Sequence, residues 1–120
     1  MLSTIIEDLV VAHPTIFRNT RPLVSPTAPA GWRDELKGFC SSLENICTDE
    51  ELKSFRLHRI HDDFGNLGLD FTFDCEVSKE KEDIIDARAF AARNRSVFCC
   101  VICGSIVDTV AKPVLCAKHF

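Results

Sequence analysis

Apolar residues recur every three or four positions in two stretches of the chain, which is the spacing of one helix face. The widest apolar stripe covers residues 32–47 and lies opposite charged and polar positions. A shorter helix is predicted to begin at Thr4, which makes a capping-box pattern with Glu7. A third helix is predicted over residues 78–94, with Ser78 as its N-cap.

The period of the pattern changes from 3.6 to two in the middle of the chain. Residues 67–74 alternate apolar and polar side chains, as a half-buried strand does. Residues 55–63 precede them across a turn at Gly65-Asn66, which predicts an antiparallel hairpin. Residues 18–31 hold three prolines and predict an extended loop. The predicted fold class is therefore α+β, with three helices packed on an antiparallel β-hairpin or small sheet.

Three cysteines and one histidine lie near the carboxyl end at the spacing of a closed zinc site. The segment reads Cys100-x2-Cys103-Gly104 and then Cys116-x2-His119. Three thiolates and one imidazole can bind Zn²⁺ tetrahedrally at about 2.0 to 2.3 Å. The sequence predicts a Cys3His zinc knuckle with Cys100, Cys103, Cys116 and His119 as ligands and a structural Zn²⁺ as cofactor.

We expect the 120 residues to form one domain, with an α+β core over residues 1–95 and a zinc-knuckle segment over residues 96–120. Short strands around 97–98 and 114–115 are predicted to flank the two ligand turns. The helical stripe contains Cys40 and Cys47, which we expect to be core residues.

The chain has the composition of an ordinary globular protein, with 46% hydrophobic and 27% charged residues. Its start lacks a basic region and reaches Glu7 and Asp8 early, so no signal peptide is predicted. Since no apolar run approaches about 18 residues, we expect no membrane span. The expected location is the cytoplasm. In that reducing compartment, cysteines are more often metal ligands or buried hydrophobic residues than members of disulfides.

Acidic residues are concentrated in one part of the chain. Residues 61–90 hold nine acids against three bases: Asp62, Asp63, Asp70, Asp74, Glu76, Glu80, Glu82, Asp83 and Asp86. The formal net charge of -4 argues against the basic surface that nucleic-acid binding needs. A basic protein partner is expected instead, bound through Asp62, Asp63, Asp70 and Asp74. The alternative is that these acids only solvate a sheet face and a helix start.

A catalytic role is not favoured. Four strong ligands leave the zinc no open position for a substrate. The sequence His58-x2-His61-Asp62-Asp63 looks like an acid–base cluster, but residues three apart on a regular strand point to opposite faces. We expect no enzyme; a small hydrolase using His58, His61 and Asp63 is the less favoured alternative.

Several motifs together resemble a largely uncharacterised group of small bacterial and phage proteins. The matching residues are His13-Pro14-x-Ile16-Phe17, Gly31-Trp32, Arg59-Ile60-x3-Phe64-Gly65-x-Leu67, Cys100-x2-Cys103-Gly104 and Leu115-Cys116-x2-His119. The resemblance implies a Phe-Gly hairpin, a helix after it and a zinc knuckle at the end. Where that group has Lys and Arg around the turn, this chain has His61, Asp62, Asp63 and Gly68.

The leading functional hypothesis is a non-catalytic, zinc-stabilised module that binds a basic protein. An immunity protein, another inhibitor of a bacterial toxin or a mobile-element accessory protein would fit this description. The alternative is a nucleic-acid-associated zinc-ribbon regulator that uses Arg93, Arg95, Lys112 and Lys118.

Overall fold

The computed structural model describes residues 2–17, 22–25, 28–63, 66–98, 100 and 102. The elements, in chain order, are α1 (Leu2–Ala12), β1 (Leu23–Val24), a 3-10 turn (Ala30–Trp32), α2 (Arg33–Ile46), α3 (Asp49–Ser54), β2 (Phe55–Asp63), β3 (Asn66–Phe73) and α4 (Lys79–Ser96). The α+β class is confirmed. The predicted number of helices is wrong, because the described residues form four α-helices and a mixed three-stranded sheet.

The sheet has the order β1-β2-β3. The predicted antiparallel hairpin of β2 and β3 is confirmed. The short strand β1 lies inside the stretch predicted as a loop and pairs in parallel with β2, Leu23 opposite Arg59 and Val24 opposite Ile60. The backbone N–H of Ser25 adds a hydrogen bond of 2.9 Å to the carbonyl of Ile60. This strand forms because its backbone pairs with the backbone of β2. Its own two residues carry no pattern that predicts a strand.

A β-bulge interrupts β2 at His58. Leu57 pairs with Phe71 and Arg59 pairs with Asp70, so one extra residue lies between two adjacent residues of β3. The alternation of inward side chains therefore shifts, and Phe55, Leu57 and Ile60 are all buried. Without the bulge, Ile60 would point away from the core.

The helix α2 covers the inward face of the sheet. Its predicted apolar stripe is confirmed, since Leu36, Phe39, Cys40 and Leu43 are all buried. Phe39 meets Phe71 of β3 with ring centroids 5.6 Å apart. Further ring contacts join Phe55 to Phe71 and to Phe73 at 5.6 and 5.2 Å. Burial of these rings is the main apolar contribution to the packing of helix on sheet.

The first helix packs against α2. It begins at Leu2, so Thr4 lies inside the helix and is not the cap that the sequence pattern predicted. Leu9 is buried in the core. Just after the helix, His13 is buried, and its Nδ1 lies 2.9 Å from Oε1 of Glu44 on α2. This contact gives the otherwise isolated imidazole a polar partner, as buried polar groups require.

The helix α3 was not predicted, because its six residues contain one apolar side chain, the buried Leu52. Its start is fixed by a capping box. Thr48 Oγ1 accepts a hydrogen bond from Glu51 N at 3.2 Å, and Thr48 N donates to Glu51 Oε1 at 2.8 Å. The same oxygen accepts from Nζ of Lys81 at 2.7 Å, which ties α3 to the start of α4.

The helix α4 begins as predicted, with Ser78 Oγ accepting a hydrogen bond from Lys81 N at 3.2 Å. It runs to Ser96, whose Oγ accepts from Leu67 N at 2.9 Å. The strand predicted around 97–98 is wrong, because these residues form a turn after the helix. The strand predicted at 114–115 lies outside the described residues, as does Gly65 of the hairpin turn.

Across the described part of the chain, no helix combines the length and the apolar character that crossing a membrane requires.

The charge of Glu51 is predicted to stabilise the junction of α3 and α4. The hydrogen bond from Lys81, followed by the one from the Thr48 backbone, lowers the pKa of Glu51 below its ordinary 4.5. A carboxyl whose pKa falls on folding contributes stability above its ordinary pKa, and that contribution is lost as the pH falls through the folded value. We therefore expect Glu51→Gln to lower the free energy of unfolding at neutral pH, and the difference from the wild type to shrink below pH 4.5.

Urea unfolding at neutral and acidic pH measures this difference. Glu50→Gln is the matched control, because the Glu50 side chain is 86% exposed. A deficit of Glu51→Gln that stays constant with pH, or that the control reproduces, would contradict the assignment.

Candidate functional site

The face of the sheet that points away from α2 carries polar side chains from both long strands. Its members are Arg56, His58, Arg59 and His61 on β2, and Gly68, Asp70 and Thr72 on β3. We call this set the outer face. It contains one of the acids that the sequence suggested for partner binding, Asp70, and a second, Asp74, follows directly after β3.

Bases on β2 lie opposite these acids. Arg56 Nη2 lies 3.1 Å from Oδ2 of Asp74. Arg59 Nε lies 3.9 Å from Oδ2 of Asp70, and His61 Nε2 lies 3.4 Å from its Oδ1. The outer face therefore carries both signs of charge in alternation, and it is not the acidic strand face that the sequence predicted.

The other two predicted partner-binding acids are also engaged. Asp63 Oδ2 accepts a hydrogen bond of 2.8 Å from Nη2 of Arg93 on α4. Asp62 takes part in an interaction within the chain as well. The four acids Asp62, Asp63, Asp70 and Asp74 thus have intramolecular partners that a binding protein would have to compete with.

Both histidines of β2 lie on the outer face, which corrects the expectation that they point to opposite faces. His58 Nε2 is 2.7 Å from Oγ1 of Thr72, and the His61 ring lies over Gly68. The bulge at His58 causes this, because it shifts the alternation by one residue. Each of the three side chains in the hydrolase hypothesis has a different partner: Thr72 for His58, Asp70 for His61 and Arg93 for Asp63.

Gly68 makes room for the His61 imidazole. A Cβ atom on Gly68 would overlap Cε1, Nε2 and Nδ1 of that ring. With no side chain at Gly68, the ring can lie flat on the strand and reach Asp70.

The predicted zinc ligands fall mostly outside the described residues. Cys103, Cys116 and His119 lie there, whereas Cys100 is placed beyond the end of α4 with 0% of its surface exposed. Cys100 also has an interaction within the chain. Among the residues that the structure describes, no three side chains of the metal-binding types converge. The zinc knuckle therefore stays a prediction. The burial of Cys100 is compatible with a role as a ligand of a structural metal.

The other described cysteines differ in environment. Burial, and to a smaller extent the charge of Glu44, raises the pKa of Cys40 to about 12. Burial, followed by Glu51, also raises the pKa of Cys47. Both thiols are protonated at neutral pH and are poor nucleophiles, and their predicted burial in the core is confirmed. Cys75 is exposed, with Sγ 2.8 Å from Oγ of Ser54.

A groove runs between β3 and α4, and sequence reasoning did not predict it. Its first part has a volume of about 360 Å³ and is lined by Leu69, Asp70, Phe71, Asp86, Ala89 and Phe90, among others. Its second part, about 330 Å³, continues past Phe71 and Asp86 to Phe73, Glu82 and Ile85. We call this the edge groove. A signal was present in the sequence, because the apolar residues of α4 do not form one stripe. In the structure, Phe90 is 63% exposed.

The wall of the edge groove changes character along α4. Arg93 stands at one end, paired with Asp63. Phe90 and Ala89 follow in the centre, and the exposed acids Asp86 and Glu82 form the other end. Neither Asp86 nor Glu82 makes an ion pair with any residue that the structure describes. Hydrogen bonding to Asp83, and then the charges of Glu82 and Asp86, raise the pKa of Lys79, as expected in a negative field.

Comparison with models of protein families, with curated proteins and with solved structures finds no match to this chain. The resemblance to small bacterial and phage proteins stays a prediction from the motifs quoted for it.

The contact between Gly68 and His61 predicts a coupled pair. Gly68→Ala should destabilise the protein, because the new methyl group displaces the imidazole from the strand and from Asp70. In the background of His61→Ala the same substitution meets no ring and should be neutral or slightly stabilising, since alanine costs less backbone entropy than glycine. A double-mutant cycle of urea unfolding should give a coupling of about 1 kcal/mol. Additive effects of the two substitutions would show that the ring does not depend on the glycine.

Proposed function

We propose that this protein is a non-catalytic, zinc-stabilised module of the cytoplasm that binds a basic protein partner. An immunity protein or other inhibitor of a bacterial toxin, or an accessory protein of a mobile element, fits this role. The observation that carries the proposal is the edge groove, in which the exposed Phe90 lies one helical turn from Asp86 and Glu82 follows in the second part of the groove. An exposed aromatic ring next to uncompensated charge is typical of a protein interface.

The distribution of charge favours the edge groove over the acids of the hairpin as the binding site for a basic partner. Asp63, Asp70 and Asp74 lie within 4 Å of Arg or His side chains, so their charges are largely compensated. A basic partner gains more from acids that have no such neighbour, because no existing contact has to be broken. We therefore propose Glu82 and Asp86 on α4 as the centre of the binding surface, with the strand acids Asp62, Asp63, Asp70 and Asp74 around it.

The nucleic-acid alternative is weakened by two ion pairs. Arg93 is paired with Asp63, and Arg95 Nε lies 3.2 Å from Oε2 of Glu35. The other two bases of that hypothesis, Lys112 and Lys118, lie outside the described residues. Bases already paired with carboxylates release fewer counterions on binding a phosphate backbone, so they contribute less affinity.

Zinc has a structural role in this proposal. Cys100 would begin the Cys3His shell directly after α4, whose last residue Ser96 is bonded to Leu67 of β3. A metal bound there would hold the carboxyl-terminal segment next to the sheet. Its binding free energy would contribute to folding.

Charge reversal tests the binding surface. The double variant Glu82→Lys/Asp86→Lys should lose capture of basic proteins from a lysate of the host cell by about tenfold or more, because each interfacial charge pair contributes about 1 kcal/mol. The control is Asp49→Lys/Glu50→Lys on α3, which makes the same change in net charge at exposed positions. Mass spectrometry quantifies the captured proteins at two salt concentrations. Equal capture by both double variants, or capture of nucleic acid in place of basic proteins, would contradict the proposal.

Removal of the metal tests the zinc site. Elemental analysis should find one zinc per chain in the wild type and in Cys75→Ser, and little or none in Cys103→Ser. A chelator should lower the melting temperature of the wild type, because a zinc shell of this kind contributes on the order of 10 kcal/mol in isolated modules. Identical melting with and without chelator would show that no metal stabilises the chain.

A further inference from the structure

The strand β3 is an edge strand of the described sheet, and the described residues cover only one end of its outer edge. The order β1-β2-β3 leaves β2 as its one partner. At Leu67 both peptide groups point away from β2 and toward α4. The N–H donates to Oγ of Ser96 at 2.9 Å, and the carbonyl accepts from Nη1 of Arg93 at 3.5 Å.

The same direction recurs at every second residue of β3. In an antiparallel pair, the peptide groups of alternate residues point to the partner strand and away from it. Because Leu67 points away, Leu69, Phe71 and Phe73 also point away, and Asp74 N agrees by bonding to the Ser54 carbonyl on the other side at 2.9 Å. Within the described residues, these three outward positions have no hydrogen-bond partner.

The outward peptide groups open into the edge groove. Its two parts extend along β3 from Leu67 to Phe73, with α4 as the opposite wall. A strand rises about 3.4 Å per residue, so the edge from Leu69 to Phe73 can pair with a segment of about five residues. Exposed strand edges bind extended peptides in this way, with main-chain hydrogen bonds for affinity and side-chain pockets for specificity.

The wall of the groove specifies side chains for such a segment. Phe90 and Asp86 are four residues apart on a helix, about 6 Å along its axis, which matches alternate residues of a strand at about 7 Å. A side chain beside Phe90 and Ala89 would be apolar. The next side chain on the same face would be basic, because it meets Asp86 and then Glu82.

We propose that the partner binds as an extended strand that pairs with the outward peptide groups of Leu69, Phe71 and Phe73, with an apolar side chain at Phe90 and a basic one at Asp86. This mode of binding rests on the proposed function and adds the conformation and the recognised pattern of the partner. In this mode of binding, the exposed ring of Phe90 contacts the apolar side chain of the partner.

The probe is a blocked peptide with Leu, Lys and Lys at every second position and Thr between them, together with the same sequence reversed for the opposite strand direction. In an NMR titration of the full chain, one of the two peptides should shift the amide signals of Leu69, Phe71 and Phe73. Those of Asp70 and Thr72, which face β2, should change less. Asp86→Lys should weaken binding about tenfold, whereas Asp83→Lys, which replaces an acid paired with Lys79, should not.

Methylation of the peptide backbone separates strand addition from simple charge attraction. N-methyl groups on the amides that face β3 remove those donors and should weaken binding about tenfold or more, with the side chains unchanged. If the methylated peptide binds equally well and binding still depends on Asp86, strand addition is wrong and a basic-partner surface remains. If neither peptide shifts the edge amides although basic proteins are captured through Glu82 and Asp86, the binding mode alone is overturned. If the wild type captures no basic protein, or if the Glu82→Lys/Asp86→Lys variant captures as much as the wild type does, the proposed function is overturned as well.

Discussion

The attachment of α4 at its two ends is the constraint on which the rest of this structure depends. Near its start, Lys81 donates to Glu51, which also caps α3. At its end, Ser96 and Arg93 hold the peptide groups of Leu67. Between these points Ile85 and Ala92 are buried in the core, so the helix is fixed beside β3, and in the described part of the chain it covers that strand's edge at Leu67 only. The edge groove is the space that this arrangement leaves.

The same arrangement separates two kinds of acid. On the hairpin, acids lie within reach of bases on the neighbouring strand or on α4, because the strands bring opposite charges into register. On the first half of α4, Glu82 and Asp86 lie along the groove and make no ion pair with any residue that the structure describes. Surface ion pairs contribute little to stability, so the pairing on the hairpin matters chiefly for where a partner would find uncompensated charge.

The parts of the fold that could be predicted from the sequence are those with a strong local period. The stripe of α2, the alternation of β3 and the Ser78 cap of α4 each appear in a few neighbouring residues. The helix α3 had a local signal, the Thr48-x2-Glu51 capping box, but too little apolar surface to suggest a helix. By contrast, β1 and the bulge at His58 arise from pairing with distant residues, and no local pattern specifies them.

From the sequence, the only predictable feature of the site was that it would be acidic. The excess of acids between residues 61 and 90 is visible in the sequence. The sequence does not show which of these acids have partners, because the ion pairs of Asp63, Asp70 and Asp74 join residues from different elements. The apolar part of the groove was missed for a similar reason. From the sequence alone, Phe90 would be predicted to be a core residue. In the structure it is exposed and lies beside the edge of β3.

Amide hydrogen exchange of the isolated full chain tests the openness of the β3 edge most directly, because exchange reports whether each N–H is hydrogen-bonded. The account predicts alternation, with fast exchange at Leu69, Phe71 and Phe73 and slow exchange at Asp70 and Thr72, whose N–H groups point to β2. Slow exchange at all five positions would show that another part of the chain already occupies the edge, and it would contradict the claim that this edge is available to a partner.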